Sequence, residues 1–113
     1  MNKITKTYNL NGRLELKDDA DYEYILKNGD IETNLTEILN NAYKLNKPVI
    51  YMTVEMKGRQ IINEEGYLHR KHDANNIICY FLDGYNTDKF LFNHTGEFMN
   101  IFIKIEVDTE DMN

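Results

Sequence analysis

The chain contains no serine and no tryptophan, one cysteine, Cys79, and one proline, Pro48. The absence of serine excludes a serine nucleophile. A single cysteine cannot form an intramolecular disulfide, so the fold must be held by an apolar core and not by crosslinks. Cys79 lies in the run Ile77-Ile78-Cys79-Tyr80-Phe81-Leu82. It is expected as a small buried hydrophobe, because no basic neighbour in the sequence would activate its thiol.

Long hydrophobic runs are also missing. No stretch approaches the ~18–20 apolar residues of a membrane span, and no apolar segment follows Met1–Lys6 as a signal peptide would require. No membrane partner is expected, and the cytoplasm is the expected compartment. The two sequons, Asn34-Leu35-Thr36 and Asn93-His94-Thr95, then carry no meaning. No phosphate-binding loop, dinucleotide fingerprint or His-Glu-x-x-His motif is present, so no cofactor and no catalysis are expected.

Positive charge is scarce. Thirteen Lys and Arg against 19 Asp and Glu give a net charge of −6 and a pI near 5.0. That balance works against nucleic-acid binding, which needs positive charge facing phosphate. A charge of −6 suits an ordinary solvated surface better than an acidic mimic of nucleic acid.

What the chain does contain is an ordinary globular balance: 113 residues, 42% hydrophobic and 28% charged. This fits one domain, 1–113, with an acidic tail, 109–113, that frays. Lysine far outnumbers arginine, and Asn and Ile are abundant. AT-rich codons produce that pattern, which associates the chain with a low-GC bacterium or with a phage or mobile element within one.

The clearest element is a helix over 34–46. Asn34 caps it, Glu37 completes a capping-box-like pair, and Leu35, Ile38, Leu39, Ala42 and Leu45 form one apolar stripe. Glu37, Asn40, Asn41 and Lys44 are expected to face away, and Pro48 to push Lys47 into an extended conformation. From Pro48 the period changes to two. Ile50, Met52, Val54 and Met56 alternate with Tyr51, Thr53, Glu55 and Lys57 in a strand. The same alternation marks Met99, Ile101, Ile103, Ile105 and Val107.

Ile77–Leu82 reads as a central strand, and 87–92 as a short helix capped by Asn86 or Thr87. Residues 3–17 read either as a hairpin turning at Asn11-Gly12 or as one bent strand. Residues 18–30 are helix or strand, the acidic start and glycine end favouring a helical turn or two. Two extended segments, Arg59–Asn63 and Tyr67–Lys71, are separated by Glu64-Glu65-Gly66. The expected class is α+β: a mostly antiparallel sheet of four to six strands with the 34–46 helix packed on one face.

Three groups of side chains are candidates for function. Tyr51, Thr53 and Phe102 stand opposite the apolar faces of their strands, with Tyr67 expected nearby, and tyrosine-bearing surfaces with scattered charge suit protein contacts. Lys57, Arg59, Arg70 and Lys71 would form a basic patch for a phosphate or carboxylate if the chain brought them together. His69, His72 and Asp73, with His94 or Cys79, contain metal-ligand types. On a strand, however, positions i and i+3 point to opposite faces. The sequence thus favours a small binding or accessory protein working through a protein partner or self-association, in one form a mobile-element modulator of a host factor. A metal- or ligand-binding domain and a local nucleic-acid contact are the alternatives.

Overall fold

The computed structural model describes residues 3–18 and 22–108; the expected acidic tail lies outside the described residues. Eight strands are present among them: β1 (Lys3–Asp18), β2 (Glu23–Asn28), β3 (Ile31–Asn34), β4 (Val49–Met56), β5 (Arg59–His72), β6 (Ile78–Leu82), β7 (Tyr85–Asn86) and β8 (Phe98–Asp108). The two helices are α1 (Leu35–Tyr43) and α2 (Thr87–Asn93). The strands form one sheet of order β3-β2-β1-β8-β4-β5-β6-β7, and every neighbouring pair is antiparallel. No helix among the described residues is long and apolar enough to cross a membrane.

The α+β class and the antiparallel pairing are as expected, but the sheet has eight strands rather than four to six. The additional strands come from residues whose side chains do not alternate. In β2 the consecutive residues Tyr24, Ile25 and Leu26 are all buried, so the period of two that marks a half-buried strand is lost. Of the two readings of the first segment, the single bent strand holds: residues 3–18 are one strand, without a turn at Asn11-Gly12. Residues 59–72 are longer than expected and continue unbroken through Glu64-Glu65-Gly66.

Each long strand serves two neighbours. β1 pairs with β8 from Lys3 to Arg13 and with β2 from Arg13 to Asp18. β5 pairs with β4 up to Tyr67 and with β6 from Leu68. The handovers curl the sheet, and each contains a glycine at a close approach. A Cβ on Gly12 would lie 2.8 Å from the Lys27 carbonyl oxygen, and one on Gly66 would strike the Asp83 carboxylate.

Both helices pack against the inner side of the curl. One apolar cluster joins Leu14, Tyr24, Ile50, Ile62, Tyr80 and Ile103 of six strands with Leu39 of α1 and Leu91 of α2. Burying side chains such as Ile50, Val54 and Ile101 contributes about 1.5–3 kcal/mol each. The Asn34 side chain accepts the Glu37 N–H at 2.9 Å and starts α1. The helix ends at Tyr43, with Lys44 as its C-cap, short of the expected Asn46. Lys47 is not extended but adopts φ 50°, and the Pro48 carbonyl accepts the Leu68 N–H at 3.1 Å, tying the start of β4 to β5.

The expectation that Asn40 faces away from the core is also corrected. Its Oδ1 accepts the Tyr80 hydroxyl at 3.1 Å and the Arg70 guanidinium at 3.3 Å. The sheet curls far enough for β5 and β6 to reach the flank of α1. One turn earlier on the same flank, Thr36 Oγ1 accepts the Tyr24 N–H of β2 at 2.9 Å.

Candidate functional site: the outer face of the sheet

The register fixes which residues share a face. Ile103 lies opposite both Tyr8 and Met52, and Ile105 opposite both Lys6 and Ile50. These positions face the helices. The alternate set therefore faces outward: Thr7, Lys104, Tyr51 and Glu65 in one row, and Asn9, Phe102, Thr53 and Asn63 in the next. Both helices occupy the inner side, so no described helix covers this outer, convex face.

Three of the sequence candidates meet at its centre. The Tyr51 and Phe102 rings pack edge to face, 6.2 Å apart at 76°, the geometry favoured by the ring quadrupoles. Thr53 lies directly opposite Phe102 in the register. Tyr67 sits on the same face, half-exposed, opposite Val49. The Lys104 ammonium stands 5.7 Å from the Tyr51 ring centre and 3.2 Å from Glu106 Oε1. Hydrogen bonding from Lys104 lowers the pKa of the Glu106 carboxyl. Toward β2, Asn28 donates to Asn11 at 3.0 Å, and Asn11 donates to Asn100. The face thus offers two aromatic edges, hydroxyls, carboxamides and a compact ion pair.

The basic candidates are not brought together. Lys57 and Arg59 lie at the β4–β5 turn, and Arg70 and Lys71 are near the far end of β5. Eleven residue steps of strand separate Arg59 from Arg70, about 35 Å when extended. Arg70 turns inward, 4.5 Å from the centre of the Tyr43 ring, whereas Lys71 lies 5.0 Å from the centre of the Phe81 ring.

The metal candidates are also placed apart. His69 and His72 are three residues along one strand and so face opposite ways. His69 reaches Asp83 at 3.5 Å, and His94 is held by Glu97 at 2.7 Å. Asp73 has a local role: its Oδ1 accepts the N–H groups of Asn75 and Ile77 and closes the turn into β6. Among the described residues, no group of three or more His, Cys, Asp and Glu is placed to hold a metal ion.

The sequence reading missed the margin of the sheet. β6, read as central, is separated from the edge only by the two residues of β7. Its backbone is closed by α2 instead. The Thr87 hydroxyl donates to the Tyr80 carbonyl at 2.8 Å, and Asp88 Oδ1 accepts the Tyr80 N–H at 2.7 Å. Two side chains thus replace the partner strand that the edge lacks.

Asp88 is buried, and burial raises its pKa to about 6 against the two hydrogen bonds that lower it. Tyr24 of β2 points its hydroxyl at the Asp88 carbonyl, and burial, with the Asp88 charge nearby, holds that phenol well above its ordinary value. Cys79 is half-buried beside this junction, not fully buried as expected. Burial, with Asp88 and Asp73, raises its thiol pKa, opposite to what a thiolate nucleophile requires.

The fold and this face define the class: an α+β protein whose curled antiparallel sheet packs two short helices on its inner side and turns a polar, aromatic-centred face outward. No family model, no curated protein and no solved structure matches the chain.

Proposed function

We propose that the chain is a small cytoplasmic binding or accessory protein without catalysis, acting through the outer face around Tyr51, Thr53, Phe102 and Tyr67. Its counterpart is another protein or a second copy of the chain. The observation that carries this reading is the edge-to-face pair of Tyr51 and Phe102 on a sheet face that neither helix covers. Aromatic anchors ringed by polar groups are the usual centre of a protein contact, because they bury much area for little lost rotamer freedom. A modulator of a host factor encoded by a phage or mobile element is one concrete form, supported by the codon-linked composition.

Light scattering and affinity capture test the reading. The parent chain is expected either to self-associate or to retain a partner, and Tyr51→Ala with Phe102→Ser to lose that association while keeping its far-ultraviolet circular dichroism. A monomer that retains no partner, or retention equal in parent and variant, contradicts it.

A further inference from the structure

A second feature lies on the inner side of the sheet, away from the Tyr51 face. The inward positions of β1 read Ile4, Lys6, Tyr8, Leu10, Gly12 and Leu14. Lys6 alone breaks the apolar series. Its register partner is Ile105, a buried core residue. Lys6 is exposed, and it places a cation at the wall of a cavity of about 290 Å³ between α1 and the inner face of β1 and β8. Ala42, Ile105 and Val107 are its buried apolar walls, and Ile4 and Leu45, both substantially exposed, stand at its mouth. The Lys6 ammonium lies 5.3 Å from the centre of the Tyr8 ring, which also lines the cavity.

We propose that this cavity binds a small apolar carboxylate, of the short- to medium-chain fatty-acid class, with the chain against Ala42, Ile105 and Val107 and the carboxylate at Lys6. The size lies at the lower end of ligand cavities, and the make-up is theirs: mostly apolar walls with a few polar groups that fix orientation. Lys6 and the Asn41 amide supply those groups. Charge complementarity selects the anion, since an ammonium beside apolar walls gains most from a ligand carrying one negative end. The site is independent of the outer-face reading, and each can fail without the other.

Calorimetry with octanoate and octanol tests it. Octanoate is expected to bind the parent chain saturably at one site. Affinity should fall at least about tenfold for octanol on the parent and for octanoate on Lys6→Gln. Ala42→Leu, which fills the cavity, should abolish both. The Lys6 side chain is exposed, so Lys6→Gln keeps the fold, and its comparison decides the matter even if Ala42→Leu unfolds. Absence of octanoate binding at roughly millimolar concentration, equal affinity in Lys6→Gln, or equal binding of octanol overturns the proposal. A cavity blocked by a second copy would show as octanoate binding that weakens with protein concentration, and that too overturns it.

Discussion

Asp88 accepts the backbone N–H of Tyr80 at 2.7 Å and thereby supplies, from a helix, a hydrogen bond that a neighbouring strand would otherwise make. The carboxylate does so while buried, and burial raises its pKa to about 6. In the folded chain the protonated form is therefore favoured relative to the unfolded chain, where the ordinary value is 3.8. Between these values the folded state holds more proton, so this group's contribution is present below about pH 4 and is lost as pH rises through about 6. The span corresponds to about 3 kcal/mol. Asp88→Asn keeps an acceptor oxygen and removes the titration. Urea unfolding of parent and variant across pH 4–7 is expected to differ by a slope of this sign. Equal slopes would contradict the assignment.

Thr87 completes the same closure. It is fully buried, and its hydroxyl donates to the Tyr80 carbonyl at 2.8 Å. Thr87→Val keeps the volume but leaves that carbonyl unpaired. The expected loss is about 1–3 kcal/mol in urea unfolding, and an unchanged midpoint would show that the bond contributes nothing.

The glycines at the two strand handovers should differ in their tolerance. At Gly12 the obstructing atom is the backbone oxygen of Lys27, which cannot move without disturbing β2. At Gly66 the nearest atoms belong to the side chain of Asp83, which is largely exposed and can rotate away, leaving the Asp83 backbone nitrogen at 3.1 Å. Gly12→Ala is therefore expected to cost about 1–3 kcal/mol and Gly66→Ala clearly less. Thermal unfolding of the two variants checks the order.

How much of this was legible follows from where the pairing information lies. The alternation from Met99 to Val107 and from Ile50 to Met56 announced β8 and β4, because one face of each meets the core and the other does not. Asn34 and Asn86 announced both helices, because capping is local. β2 was hidden because Ile25 is buried as well as Tyr24 and Leu26. β5 was legible only as two extended segments, because most of its residues are exposed polar ones and Gly66 resembles a turn until Asp83 is seen beside it. The Thr87–Asp88 closure left no local signal, since its partner, Tyr80, lies in another element. Of the candidate residues, Tyr51, Thr53 and Phe102 were legible as one face from period alone and Tyr67 joins them through the β4–β5 register, whereas the basic set assumed a proximity that the length of β5 rules out.

The Tyr51–Phe102 pair should be replaceable without loss of the fold. Both side chains are only half-buried, and an edge-to-face pair adds about 0.5–1.5 kcal/mol beyond the area it buries. Phe102→Ser with Tyr51→Ala is expected to shift thermal unfolding modestly. Collapse of the structure would show instead that the pair belongs to the core.

The most direct test places a photo-crosslinking residue at Thr53, opposite Phe102 in the register, and a second one at Lys44, exposed at the C-terminal end of α1. Mass spectrometry after illumination in a low-GC bacterial lysate should show a discrete adduct, with another protein or with a second copy, from position 53 and not from position 44. Adding excess parent chain should suppress it, and adding excess Tyr51→Ala/Phe102→Ser should not. Equal adducts from both positions, or none from position 53, would contradict a binding role for this face.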